Sequence, residues 1–288
     1  WANASLEFQP IRRLMESLFG FSARRPLPHY AEERFDHWFN RRESNPADGK
    51  HRGTVILWDD TFVRYHEPHI GKAAVKVLEA AGFEVVLARE RKCCGRPAFS
   101  QGNLDEARRL GAHNLQLLTE RFPKAPILFL EPSCYSMFAE DYRELKLPNA
   151  SETAKRSFLF EQFIESLLKQ EPEALQFKRC PGNIAIHAHC HAKSLLNPGF
   201  MPAVLKRIPD QSVTLLETGC CGMAGAFGAM ESKLDLSKKV AEPLIQKITE
   251  QPDGTIIVAS GTSCRHQIEY LTPVKPKHIA EVLAEALE

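Results

Sequence analysis

The chain has 288 residues, 43% hydrophobic and 25% charged, a globular composition that excludes fibrous, collagenous and low-complexity classes. Lysine and arginine total 37 against 36 aspartates and glutamates, a net charge of +1, which gives no global field for gathering nucleic acid or an anionic bilayer. No apolar run approaches the ~20 residues of a membrane-spanning helix. At roughly 100–200 residues per domain, the length suits two domains or one duplicated unit.

Residues 1–50 open on Trp1 and include the Arg/Pro-rich stretch Ala23-Arg24-Arg25-Pro26-Leu27-Pro28. They lack the basic-then-apolar pattern of a secretion signal. They read as an arm or linker packing on the upstream part of a longer polypeptide, with a partly disordered linker as the plainer alternative. Apolar runs then predict strands over 54–58, 84–88 and 127–131, and spacings of three and four predict helices over 70–81 and 104–119. A helix follows over 157–169, then strands over 183–187, 213–217 and 255–259. The last predicted helix, 232–249, starts with Ser232 at a plausible cap.

The order of these elements repeats. Cys93-Cys94-Gly95 recurs as Cys220-Cys221-Gly222, and Pro132-Ser133-Cys134 is echoed by Thr262-Ser263-Cys264. Each Cys-Cys-Gly follows a β-rich run and each lone cysteine follows a buried-strand pattern. The first-copy position answering to Cys190 is Asp60, so that copy lacks its leading cysteine. The chain therefore divides into an arm (1–50), a degenerate first unit (51–150) and a second unit (151–288). The expected fold is α/β: two tandem, pseudo-symmetric Rossmann-like units with parallel sheets and helices on both faces. In such sheets ligands bind beyond the carboxyl ends of the strands, where the cysteines fall.

Eight cysteines are too few for a disulfide-stapled mini-domain of this length, and neighbouring cysteines rarely pair, because the ring strains the peptide bond between them. Thiolates serving a metal are the better reading. Cys190, Cys220, Cys221 and Cys264 form a four-sulfur set suited to an iron–sulfur cluster or to zinc. Cys93, Cys94 and Cys134 form the shorter set of the first copy, and Cys180, which matches nothing there, reads as packing. Glycine beside a cluster lets backbone N–H groups approach sulfur. The run 222–228 could also be taken for a phosphate loop, but it lacks the Lys-Ser/Thr of that motif. On a strand, His187, His189 and His191 share one face, as metal ligands or as groups that hydrogen-bond to them. Arg96, Lys193 and Arg265 stand near the cysteine turns, where they could offset charge, hold an anionic substrate or simply be solvated.

Asp60-Thr61-Phe62, Cys93-Cys94-Gly95-Arg96-Pro97, Glu131-Pro132-Ser133-Cys134, His189-Cys190-His191, the run from Cys220 to Gly228 and Gly261-Thr262-Ser263-Cys264-Arg265 together carry a family resemblance. From about residue 50 to the end, the chain resembles the cysteine-rich (CCG) domain found twice in heterodisulfide reductase subunits and in iron–sulfur subunits of glycolate, lactate and glycerol-3-phosphate oxidases. More closely, it resembles the carboxyl-terminal region of fused FAD and iron–sulfur D-2-hydroxy-acid dehydrogenases of D-lactate, D-2-hydroxyglutarate or glycolate oxidase type. The resemblance implies upstream FAD and ferredoxin-like domains, an iron–sulfur cluster of 4Fe-4S type and electron flow to a quinone or other carrier. It implies a cytoplasmic location, or a peripheral one at the inner membrane face. A zinc-stabilised docking domain is the alternative. The closing Cys-x-x-Cys of the family is cut short in both copies, to Cys134-Tyr135-Ser136-Met137 and Cys264-Arg265-His266-Gln267. One metal centre is therefore expected, held by the second copy or shared at the interface, with Arg96, His191 or Arg265 able to meet a substrate carboxylate.

Overall fold

The computed structural model describes residues 2–43 and 51–288. β1 (Thr54–Trp58), β2 (Glu84–Val86), β3 (Ile127–Phe129) and β4 (Ser157–Leu159) form a first sheet in the order β2-β1-β3-β4. β5 (Gly182–Ile186), β6 (Gln211–Leu215) and β7 (Ile256–Val258) form a second in the order β6-β5-β7. All pairings are parallel. Each unit thus starts with its central strand, flanked by the next two. Val55, Ile56 and Leu57 of β1 are fully buried, as the continuous apolar run of a strand covered on both faces requires.

The helix expected over 157–169 begins only at Phe160 and runs to Gln170. Its first three expected residues pair with β3 instead, register Ile127↔Ser157 to Phe129↔Leu159, so tertiary pairing overrides helical spacing there. β4 lies beyond residue 150 but belongs to the first sheet. In the second unit the equivalent edge shrinks to one parallel bridge, Val258↔Lys277. Pro273 and Pro276 flank that bridge and withhold ladder donors. Ser232 caps nothing; it sits in a 3-10 turn (Glu231–Lys233), and the helix proper is Leu234–Thr249.

The closing helices cross between units. Phe160–Gln170, at the end of the first, packs on Phe200–Leu205 of the second, and Ile279–Ala286, at the end of the chain, packs on Pro68–Ala80 of the first. Ile70, Leu168, Val204 and Leu283 accordingly share one core. A smaller core of Leu216, Leu244, Ile257 and Ile268 includes Cys221 and Cys264. The N-terminal segment packs on both units: Phe35 is fully buried in the shared core, while Phe21 bridges Met230 and the Ser22 N–H donates to the Ala229 carbonyl at 2.8 Å. Leu14, Leu18 and Phe19 of the helix Gln9–Phe19 remain exposed. No described helix is long and apolar enough to cross a membrane.

Candidate metal centre

The second unit delivers its cysteines from three strand ends. β5 stops at Ile186, so the alternation that would put three histidines on one face has ended before His187. His189 instead caps the helix Cys190–Leu195, its Nδ1 accepting from the His191 N–H at 3.1 Å. After β6, the loop to Cys220 is braced by Lys193, whose Nζ donates to the carbonyls of Thr218 (2.6 Å) and Gly219 (3.1 Å). Lys193 is thus spent on backbone oxygens. After β7, Cys264 falls in the first turn of the helix Thr262–Leu271.

These elements bring the four sulfurs together. Cys190 and Cys220, Cys220 and Cys221, and Cys221 and Cys264 lie close enough to shift one another's protonation. Cys221 and Cys264 are 4% and 1% exposed, out of reach of bulk water, while Cys190 and Cys220 are half-buried nearer the surface. Hydrogen bonding to Cys220, with burial, pushes the Cys190 thiol up, and Cys221 goes up for the same reason and through Cys264. Cys220 is pulled down by hydrogen bonds from Cys190 and Cys221, and Cys264 chiefly by the one from Cys221. The Gly222 N–H adds a bond to the Cys220 sulfur at 3.3 Å. Gly222 sits at φ 84°, and a Cβ there would come 2.2 Å from the Ser237 carbonyl oxygen, so neither the turn nor its packing admits a side chain.

Soft thiolate sulfur is the donor type that iron–sulfur clusters and zinc take. A second observation at the same place is an orphaned imidazole nitrogen: His187 Nδ1 pairs with Thr218 Oγ1 at 2.8 Å, while its buried Nε2 has no hydrogen-bond partner and the ring lies against Cys264. Donor chemistry and burial therefore fit a thiolate-held group. Among the described residues, no three His, Cys, Asp or Glu side chains stand at the spacing of a preformed single-ion cage.

The first unit repeats this layout incompletely. Cys93 contacts Cys94, and the Cys94 and Cys134 sulfurs are 3.1 Å apart. Where the fourth sulfur would stand, Asp60 caps the helix Thr61–Tyr65, accepting from Phe62 N–H (2.8 Å) and Val63 N–H (3.2 Å). Burial, reinforced by the charge of Glu131, raises its pKa to about 7, and its Oδ2 has no partner. Gly95 has the same left-handed φ (85°) as Gly222, but a Cβ there would meet its nearest neighbour, Ala107, at an ordinary 3.4 Å.

Between the units lies a buried polar seam. Glu131 accepts from the Ser133 N–H in its own unit (3.0 Å) and from the Thr262 N–H in the other (2.8 Å). Burial would raise its pKa, but the nearby His189 and these N–H groups outweigh it, and the group ends below the usual carboxylate range. Arg265 is buried in an ion pair with Glu67 at 2.7 Å and also donates to the Ala259 and Ser260 carbonyls. Against the opposing effect of burial, that partnership holds Glu67 at about 2. Arg96 pairs with Asp141 and Ser136, and Ser136 meets His191 Nδ1 at 3.2 Å across the seam. Burial and the neighbouring His189 lower His191 to about 4, which leaves it neutral at pH 7. Glu131 directly precedes Pro132-Ser133-Cys134, and that position was the available sequence signal; Glu67, Thr218 and Ser136 had none.

A model of the cysteine-rich (CCG) domain matches residues 61–139 and 184–269, once in each unit and together more than half of the chain. The chain belongs to the cysteine-rich domain family. Among its relatives is a subunit of the anaerobic glycerol-3-phosphate dehydrogenase of Escherichia coli (strain K12), 27% identical over 287 residues, covering 99% of this chain and 72% of that protein. Lactate utilization protein A of Bacillus pumilus (strain SAFR-032) is 29% identical over 243 residues, covering 80% of this chain and 98% of that protein. Lactate utilization protein A of Exiguobacterium sp. (strain ATCC BAA-1283 / AT1b) is 28% identical over 239 residues, covering 77% and 93%. The cysteine-rich domain thus occurs twice in the chain, and part of a dehydrogenase stands among its relatives.

Proposed function

We propose that this chain is the iron–sulfur electron-transfer module of a flavin-dependent D-2-hydroxy-acid dehydrogenase, relaying electrons from FAD on an upstream domain toward a quinone or other carrier. The observation that supports it best is the gathering of four thiols, Cys190, Cys220, Cys221 and Cys264, that perturb one another's protonation on a duplicated α/β frame. In this reading those four residues hold the cluster, of 4Fe-4S type, and the first unit is a scaffold that has lost its own. A bound cluster supplies one-electron transfer between flavin and acceptor.

The protein's own residues do the rest. Gly222 brings an N–H against sulfur and so disperses negative charge. Lys193 fixes the loop carrying the cysteine pair by holding two carbonyls. His189 shapes the entry to the Cys190 helix, and Gly261 leaves room for its ring, since a Cβ there would lie 2.2 Å from His189 Cδ2. Glu131 and the Glu67–Arg265 pair lock the first unit onto the first turn of the helix that carries Cys264. Arg265 is fully engaged in that role, and Arg96 is likewise paired with Asp141 and Ser136.

Anaerobic reconstitution with iron and sulfide, followed by EPR and iron and sulfide analysis, tests the reading. It predicts visible absorption and stoichiometric iron. One equivalent of zinc in a colourless protein would replace the relay with a docking domain.

A further inference from the structure

Arg25 comes from the N-terminal segment, far from the cysteines in sequence, and is 3% exposed. Its position is built from several sides. Nη1 donates to the Met223 sulfur at 3.1 Å, directly after the Cys220-Cys221-Gly222 turn, and Nη2 donates to the Gln267 side-chain oxygen. The guanidinium lies 4.3 Å from the centre of the Tyr270 ring. Its Nε is buried with no partner. Gln267 is itself fully buried, its amide held by the Ser237 carbonyl and hydroxyl at 3.2 Å each. Arg12, 2% exposed, clamps the segment from behind by donating to the carbonyls of Ser22 and Arg25.

A guanidinium cannot shed its proton in a protein, so a buried one needs a compensating negative charge. Burial pushes the Arg25 pKa below the ordinary guanidinium value, and no carboxylate among the described residues offsets this. The direct contacts, Met223, Gln267 and Tyr270, are neutral. The sulfur site lies next along the chain, since Met223 follows Cys221 by two residues.

We propose that Arg25 is a positioning residue for the sulfur site: a fixed buried cation behind the Cys220-Cys221-Gly222-Met223 turn whose counter-charge is the thiolate set and whatever that set holds. This rests on the metal-binding reading above and deepens it. Positive charge beside a thiolate-held cluster favours its reduced, more negative form and so raises its potential. The same charge favours replacement of thiols by metal-bound thiolates.

The test uses the full chain, reconstituted anaerobically, as parent, Arg25→Gln, Arg25→Lys and Gln267→Glu, with surface Arg24→Gln as control. Midpoint potential is read by EPR-monitored redox titration. Arg25→Gln lowers the potential at unchanged iron content, Arg25→Lys restores most of the shift, and Gln267→Glu lowers it by supplying the missing carboxylate. Gln267→Glu keeps the test decisive if Arg25→Gln does not fold. In parallel, cobalt(II) titration of the apo chain reads affinity without any cluster, and Arg25→Gln weakens it on the order of tenfold. Unchanged potentials in the variants at parental iron content overturn the proposal. If the parent takes up no iron, the cluster reading fails on its own account, and equal cobalt affinity in parent and Arg25→Gln then overturns this one.

Discussion

The two units share a strand order, a Cys-Cys-Gly turn with left-handed glycine and a lone cysteine opening the helix after the third strand. The second unit surrounds that layout with devices the first lacks. It has a fourth sulfur at Cys190, a lysine clamping the loop of its cysteine pair and a glycine pressed onto neighbouring backbone. The first unit puts a carboxylate where the sulfur would be and commits it to capping a helix. Packing and backbone hydrogen bonding therefore maintain the scaffold without a complete set of sulfurs, and in the proposed reading the chemistry depends on one further thiol.

The largest expected effect separates the units outright. Cys264→Ser abolishes iron bound on reconstitution, whereas Cys134→Ser leaves iron per chain at the parental value; equal losses would mean a shared centre. Asp60→Cys is the reverse experiment. Restoring the missing sulfur beside Cys134 should raise bound iron toward twice the parental amount, with loss of the cap costing about 1 kcal/mol. Iron that stays at the parental level would show that the first unit lacks more than a ligand.

The paired glycines compare the turns without any metal. Gly222→Ala combines a strained φ with collision against the Ser237 carbonyl and should cost about 3 kcal/mol or more in apo-protein urea unfolding. Gly95→Ala, with the same φ but room for a methyl, should cost about 1 kcal/mol. Similar costs would mean that the two turns are equally packed. A further effect concerns Glu161, a first-unit carboxylate buried against Ser260 of the second, accepting its hydroxyl at 2.8 Å. Burial raises its pKa from an ordinary 4.5 to about 7, so across that window the folded state binds more protons than the unfolded one. Stability must then fall as pH rises through that interval, by on the order of 1 kcal/mol per unit at most, and Glu161→Gln should flatten that slope.

Much of this was legible from spacing. The runs at 54–58 and 183–187 coincide closely with the two central strands, since a strand buried on both faces must be apolar throughout. The start of the helix at Phe160 was not legible, because Ser157, Phe158 and Leu159 fit helical spacing and only the free edge of β3 made them a strand. The histidine alternation misled in a similar way: period two is informative only while a strand lasts, and β5 ends before His187.

The repeat of Cys-Cys-Gly and the lone cysteines was enough, on sequence alone, to establish a duplicated α/β chain with a thiol-rich end to each unit. Local pattern carries that much, because strand periodicity and turn glycines are properties of neighbouring residues. Tertiary structure alone decided the crossing of the closing helices, the Glu131 and Glu67–Arg265 locks between units, and the burial of Arg25 behind the second cysteine turn. Those contacts join residues separated by as many as 242 positions along the chain, and the charge that each buried group meets is set by partners brought there only when both units pack.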